Sequence, residues 1–453
     1  MTNTIEHLLS VEQALARLLA AVEEPLPGEK VALGSALGRI LSAPVLSTMD
    51  LPRWNNSAMD GFAVHAADTV GASSSAPVTL RVVGEVRAGG SAEIAIPSGC
   101  AVRIATGAPL PDLADAVVPV ESTLAEVLPT GSQRAPDLSD QRRTLGFEAG
   151  EPLVDSCFVV VAAAPGDNVR HRGEDVLAGT VVLEAGVPIG PAQIALAAAV
   201  GRAEVSVHAR PVVGVLSTGD ELREPGIDLG SSGIPDANRP GLLAASTVAG
   251  ADAVDLGIAC DRLDSVLAAL EPAVDRLDAV IVSGGVSVGP YDVVRSAFEI
   301  LGSVDLWRVA IQPGKPFAFG RSRPRACDGR QVLLFGLPGN PVATLVTFEL
   351  FVRPMLQRLA GRLSMAPLTD RAVTADPLRS SHGRRGFLRV TVDRGSGGDP
   401  LRDERGRLRV RSAGNQGSHV LSAMAAADAL AIVPEDVGRL NPGDEVEIRW
   451  LAR

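Results

Sequence analysis

An uninterrupted apolar run that ends on paired glycines constrains this fold more than any other stretch of the chain. Residues 278–292 read Asp-Ala-Val-Ile-Val-Ser-Gly-Gly-Val-Ser-Val-Gly-Pro-Tyr-Asp. The β-branched run 280–282 has no polar alternation, which suits a strand buried on both faces of a parallel sheet. Ser283, Gly284 and Gly285 at its carboxyl end let the backbone turn sharply and approach a ligand closely. In open α/β sheets, ligands bind at that end of the strands. Ser287 and Asp292 follow at once with a hydroxyl and a carboxylate. The segment is expected to form the floor of a site for an anionic or metal-bound ligand.

The flanking sequence supplies the rest of such a sheet. Apolar runs at 212–216, 253–258 and 332–335 read as strands. They alternate with helical patterns at 242–249, 265–277 and 342–357, the mark of a doubly wound parallel α/β domain. On either side the pattern changes. Residues 78–83, 101–104, 154–163 and 176–183 read as short strands of a β-rich region, with 122–143 polar and loop-like. Candidate strands at 387–392, 408–411, 429–433 and 445–450 read as a small β-barrel or sandwich. Residues 11–22 carry apolar side chains at three- and four-residue steps, an amphipathic helix that Ser10 and Gln13 would cap. A second helix is expected at 191–200, with proline at its start and Gly201 past its end.

The charge balance excludes one class of function. A formal net charge of -11 argues against a general nucleic-acid binder, which needs a basic face. Lys30 and Lys315 are the only lysines among 42 basic residues. Base composition accounts for the arginine bias and leaves Lys315, in Gly314-Lys315-Pro316, as the exception. A compact ammonium there suggests a site that a planar guanidinium does not serve. Four scattered cysteines without a C-x-x-C pair give no expectation of zinc or disulfides. No apolar run is long enough to span a bilayer. With no signal-peptide pattern at the N-terminus, the expected location is cytoplasmic.

The strand ends share one kit of glycines, hydroxyls and carboxylates. Ser217, Thr218, Gly219, Asp220 and Glu221 follow one strand, Asp261 the next, and Ser283, Ser287, Gly289 and Asp292 the third. Carboxylates gathered at one sheet edge repel unless a cation neutralises them, and a hard divalent ion such as Mg²⁺ with oxygen ligands is the natural solution. Local helix capping explains any one of these residues equally well. Gly339-Asn340-Pro341 before a helix offers free N–H groups to an anion. Polar turns at Asn55 to Gly61, Thr106-Gly107 and Arg170 to Asp175 form a second group, each also explicable as a turn.

Five of these motifs together resemble the molybdopterin molybdenumtransferase family, which includes the C-terminal enzymatic domain of gephyrin. They are Asn56-Ser-Ala-Met-Asp-Gly61, Ser217-Thr-Gly-Asp-Glu-Leu222, Ser283-Gly-Gly-Val-Ser-Val-Gly289, Pro313-Gly-Lys-Pro316 and Leu337-Pro-Gly-Asn-Pro341, in that order. The resemblance covers nearly the whole chain. It implies a flanked α/β molybdopterin-binding domain at 209–361 and an elongated N-terminal dimerisation domain from 1–51 with 150–208. A small β domain at 52–149 and a C-terminal β-barrel at 362–453 complete the expected architecture.

The activity implied is insertion of molybdenum from molybdate into adenylylated molybdopterin, with Mg²⁺ and release of AMP. The implied assembly is a homodimer whose cleft lies between the α/β domain of one subunit and the Asp60-bearing β domain of the other. Its substrate would come from the molybdopterin adenylyltransferase of the preceding step; no nucleic-acid or membrane partner is implied. By match to the family's motifs, the acting residues are Asp60, Thr106, Asp175, Glu221, Asp261, Asp292 and Lys315. Glu221, Asp261 and Asp292 would hold the metal or orient the adenylyl group, and Lys315 would hold a phosphate or oxyanion. Ser217, Thr218, Gly219, Asp220, Ser283, Gly284, Gly285, Ser287, Gly289, Pro313, Gly314, Gly339, Asn340 and Pro341 would bind the cofactor. Arg384 and Ser418 would meet molybdate, with Arg385 and Ser422 as near alternatives. Two departures stand out: Gln312 replaces a lysine common in the family, and Ala343 replaces a serine. Adenylyl transfer from ATP by the same fold and a gephyrin-like dimeric scaffold are the competing functions.

Overall fold

The computed structural model describes residues 8–124, 154–285, 293–364 and 366–451. Ser287, Gly289 and Asp292, and most of the loop-like stretch 122–143, lie outside the described residues.

A six-stranded sheet organises the centre. Its strands run in the order Asp252–Ala259, Val212–Thr218, Ala279–Ser283, Leu333–Leu337, Pro316–Ser322, Gly302–Arg308. The first four are parallel. Side chains alternate between two cores along one strand: Ala279 and Ile281 join one, Val280 and Val282 the other. Both faces are covered, so every residue of Ala279–Ser283 is buried, which is why the run carries no polar alternation. Helices Leu263–Val274 and Val293–Leu301 pack on one face through Val266, Leu270, Val294 and Phe298. Asn238–Val248, the helical rod from Pro341 to Leu359 and the N-terminal helix Val11–Ala20 cover the other.

The N-terminal helix thus buries Ala14 and Leu18 against the central domain, and the expected Ser10–Gln13 capping box is formed. The rod differs from the single helix expected at 342–357. A π-helical turn, Phe348–Val352, separates Pro341–Thr347 from Arg353–Leu359. Pro354 lacks the N–H that would bond the Leu350 carbonyl, and a wider turn absorbs that missing link. The last two strands of the sheet were not expected. Gly302–Arg308 and Pro316–Ser322 pair antiparallel with each other, and the latter pairs antiparallel with Leu333–Leu337. Phe317, Phe319, Trp307 and Phe335 stack across this extension. The turn between them carries Gly314 and Lys315.

The C-terminal region is a closed five-stranded barrel. Arg385–Val392, Leu408–Ser412, Thr369–Thr374, Glu445–Trp450 and Ala429–Val433 pair in sequence, and the last returns to the first. Its interior holds Ala372, Val390, Val410, Ala431 and Ile448. Thr369–Thr374 went unrecognised because Thr-Asp-Arg-Ala-Val-Thr offers one apolar pair only. The bridge Ile311–Gln312 runs parallel to Arg385 and Gly386, which ties the barrel to the Lys315 turn.

Towards the N-terminus, strand pairs join distant segments. Gly28–Ala32 pairs with Glu204–His208, Val45–Leu46 with Val181–Leu183, and Asn56–Ser57 with Val169–Arg170. The strand expected across 176–183 is confined to its last three residues. Between these pairs sits a second six-stranded sheet that includes Gly61–Val64, Val78–Val86, Cys100–Ile104 and Ser156–Val159. No helix among the described residues is long and apolar enough to cross a membrane.

Candidate functional site

Register places four loop starts side by side. Ser217 pairs with Ser283, Ser283 with Leu337, and Thr218 with Ala259. All four parallel strands therefore end on one edge. A cavity of about 950 Å³ opens there, bounded on its far side by the Lys315 turn and the barrel loops. A second cavity of about 600 Å³ lies between the N-terminal helix and the barrel, and none of the residues put forward from sequence for the site lines it, save the alternative Arg385.

Fourteen of the residues expected at the site line the larger cavity: Thr218, Glu221, Asp261, Ser283, Gly284, Gly285, Pro313, Gly314, Lys315, Gly339, Asn340, Pro341, Arg384 and Ser418. Gly284 is required by its backbone. Its φ is 98°, and a Cβ there would stand 2.4 Å from the Thr218 carbonyl oxygen. Gly314, with φ 111°, packs so closely that a Cβ would stand 2.5 Å from Thr347 Oγ1.

Thr218 lines the cavity, while its neighbour Ser217 does not and donates to Asp236 Oδ1 at 3.0 Å. Gly219 and Asp220 do not line it either; Asp220 Oδ1 accepts the Asp261 N–H at 3.1 Å and so links two neighbouring strand ends. Ser283 lies at the edge, but its hydroxyl is engaged: it accepts from Asn238 Nδ2 at 2.8 Å and donates to the Pro338 carbonyl at 3.3 Å.

The walls carry opposite charge. Glu221 and Asp261 form an acidic side, Lys315 and Arg384 a cationic one. Partial burial, then the neighbouring Asp220 and Glu221 carboxylates, push the Asp261 carboxyl above the usual carboxylate range. Thr218 Oγ1 has only a loose contact with that carboxyl and no well-formed hydrogen bond. Arg384, not Arg385, faces the cavity; Arg385 is paired with Glu12 and Glu435. Ser418 lines it, and Ser422 does not. Gln312 supplies no charge; its Oε1 accepts the Ser381 N–H at 2.6 Å and anchors the loop before Arg384.

Asp60, Thr106 and Asp175 lie elsewhere. Asp60 Oδ1 accepts from the Thr106 N–H at 2.7 Å and from its hydroxyl at 2.9 Å, an exposed pair on the second sheet. Asp175 is exposed on the loop that donates its N–H to the Leu51 carbonyl. None of the three lines the cavity formed within one chain.

Sequence reasoning missed Asn238. Its Nδ2 ties Ser283 to the Gly339 carbonyl, at 2.8 and 2.7 Å, while its Oδ1 is buried without a partner. The signal was Pro-Asp-Ala-Asn-Arg-Pro, residues 235–240, polar side chains crowded before a helix. Asp236 within it is 1% exposed and accepts from Ser217, from the Asn238 and Arg239 N–H groups and from Arg239 Nε. Gln416 and His419 also line the cavity.

Oxygen donors at the ends of parallel strands, with Lys315 and Arg384 on the same cavity, make an α/β cleft suited to an anionic ligand. Three family models cover the chain: MoeA N-terminal region (domain I and II) over 9–201, "Probable molybdopterin binding domain" over 214–358, and MoeA C-terminal region (domain IV) over 371–451. The chain is 34% identical over 442 residues to the molybdopterin molybdenumtransferase of Haemophilus influenzae, covering 97% of this chain and 98% of that one. It is 37% identical over 424 residues to molybdopterin molybdenumtransferase 2 of Mycobacterium tuberculosis, covering 92% and 94%. A crystal structure of the molybdopterin biosynthesis MoeA protein from Pyrococcus horikoshii OT3 superposes with a TM-score of 0.76 at 28% identity, covering 98% of this chain and 100% of that one. This chain belongs to the molybdopterin molybdenumtransferase (MoeA) family.

Proposed function

We propose that this enzyme moves molybdenum from molybdate onto adenylylated molybdopterin, with Mg²⁺, releasing AMP. The observation that carries the reading is the pairing of Glu221 and Asp261 with Lys315 and Arg384 across one cavity. Cleaving a phosphoanhydride needs charge neutralisation and positioning more than a protein nucleophile. Lys315 would neutralise a phosphate oxygen. The N–H groups at Gly339 and Asn340 would orient the same group, and Arg384 with Ser418 would hold the tetrahedral oxyanion substrate. Asn238 Oδ1 and Thr218 Oγ1, on residues that line the cavity, are buried without well-formed partners among the described residues.

The donor set fits Mg²⁺. Among the described residues, no three carboxylate, histidine or cysteine side chains stand together as a ready metal cage. Mg²⁺ does not need one, since it is commonly bound by one or two carboxylates and substrate phosphates. Glu221 and Asp261 would hold it, and the crowding that raises the Asp261 carboxyl is the strain a cation relieves. When bound, the ion would neutralise charge on the phosphates.

Purified protein given adenylylated molybdopterin, molybdate and Mg²⁺ is expected to release AMP and yield cofactor that reactivates a molybdenum-free apoenzyme. Pyrophosphate release from ATP and molybdopterin, with no AMP in the first assay, would make it the adenylyltransferase instead. Inactivity in both would leave a scaffold.

A further inference from the structure

Arg389 has no accessible surface and, among the described residues, no carboxylate partner. It lies on Arg385–Val392, where Leu388, Val390 and Val392 point into the barrel. Arg389 therefore points outwards, on the same side as Phe387, into the seam with the central domain. Burial alone pushes its guanidinium down to about 10. An uncompensated buried cation is costly, and an apolar side chain of similar length would fill the seam more cheaply.

What the guanidinium does that an apolar chain cannot is hold a loop. Nη2 donates to the carbonyls of Asn415, at 3.2 Å, and Gly417, at 3.0 Å. Nε and Nη1 are buried without partners among the described residues, so the group is spent on these two carbonyls. Gln416 between them completes a clasp. Its Oε1 accepts the Arg389 N–H and its Nε2 donates to the Arg389 carbonyl, both at 2.9 Å. The next residue, Ser418, accepts the Val342 N–H at its carbonyl, at 3.1 Å. The loop is thereby pinned between the barrel strand and the start of the Pro341 helix, with Gln416, Ser418 and His419 on the cavity wall.

We propose that Arg389 is a positioning residue of this cavity: through the Asn415 and Gly417 carbonyls it fixes the Ser418 hydroxyl against Arg384, and so sets affinity for the oxoanion substrate. This rests on the reading of the cavity as the molybdate site. Arg389→Met keeps the bulk and removes the donors. Its KM for molybdate in AMP release is expected to rise at least tenfold, with kcat within threefold of the parent. A residue that only stabilised the fold would lower the active fraction, and so kcat, at unchanged KM. Arg389→Lys, whose single ammonium reaches one carbonyl, should fall between.

A folded Arg389→Met protein with unchanged KM overturns the proposal. Should that variant not fold, Gln416→Ala, which opens the other half of the clasp, decides it: a raised KM supports the proposal and an unchanged one overturns it. Absence of AMP release in the parent protein would instead sink the substrate assignment. Hydrogen exchange in the peptide spanning 413–421 would then judge the clasp alone. Faster exchange in Arg389→Met, or in Gln416→Ala if the former does not fold, upholds it; unchanged protection overturns it.

Discussion

Lys315 stands at the tip of a turn that Gly314 makes possible, in a chain that otherwise uses arginine almost throughout. An ammonium rotates its three donors freely, whereas a guanidinium presents a fixed, wider fork. Lys315→Arg is therefore expected to fail nearly as badly as Lys315→Ala, with AMP release lowered at least tenfold, roughly 1.4 kcal/mol of barrier. Full activity in the arginine variant would show that charge alone suffices there. Asp261→Asn tests the opposite wall. It removes a carboxylate crowded by Asp220 and Glu221, so the variant should melt at a higher temperature at neutral pH while turnover falls at least tenfold, again about 1.4 kcal/mol. A lower melting temperature would mean that the carboxylate supports the fold. At this scale residue type was legible and direction was not. Thr218, Glu221, Asp261 and Lys315 could be placed on one sheet edge because glycines and charges follow apolar runs. That Ser217 bonds Asp236 and that Asn238 reaches Ser283 both depend on a segment from another part of the chain.

Elements were legible where one short-range pattern determined them. The run 280–282 and the capped N-terminal helix have local causes, so they read directly. Ser10→Ala removes a reciprocal cap and should cost about 1 kcal/mol, whereas Leu18→Ala, emptying a fully buried site, should cost about 2–5 kcal/mol. Chemical denaturation of the two variants checks the order; equal losses would mean that the helix contributes little packing to the central core. The hairpin from Gly302 to Ser322 was illegible because its stability comes from aromatic contacts with Leu333–Leu337 rather than from its own alternation. In the barrel, Asp393 follows Arg385–Val392 and grips the next strand through Arg411 and Arg409. The hydrogen bonds and charge of Arg411, aided by Arg409, outweigh burial and hold its carboxyl below the usual carboxylate range. A lowered folded-state value stabilises the fold above the unfolded value of about 3.9 and is lost as pH falls through the lower one. Asp393→Asn should accordingly melt below the parent at pH 7, with the gap closing in more acidic solution. A gap independent of pH would place the contribution in packing.

At the scale of the molecule, the order of regions was legible from changes in hydrophobic period, while the meeting of regions was not. Nothing in the local sequence says that Ile311–Gln312 would pair with Arg385 and carry the barrel to the Lys315 turn. The Asp60–Thr106 pair poses the same question in sharper form, because it is well formed and exposed, yet lines no part of the cavity within its own chain. A site completed by a second copy would account for that separation. A dimer with isologous symmetry would present the Asp60 face of each subunit to the cavity of the other. In a heterodimer purified through two different tags, one subunit carries Asp60→Ala and the other Lys315→Ala. One composite site then combines both lesions and the other combines neither, so activity of about half the parent dimer's is expected, although each homodimeric variant is nearly inactive. If both sites were instead built within single chains, each subunit would keep its own lesion and the heterodimer would be as inactive as its parents. Recovery therefore requires Asp60 to act on its partner's cavity, and no rearrangement within one subunit reproduces it.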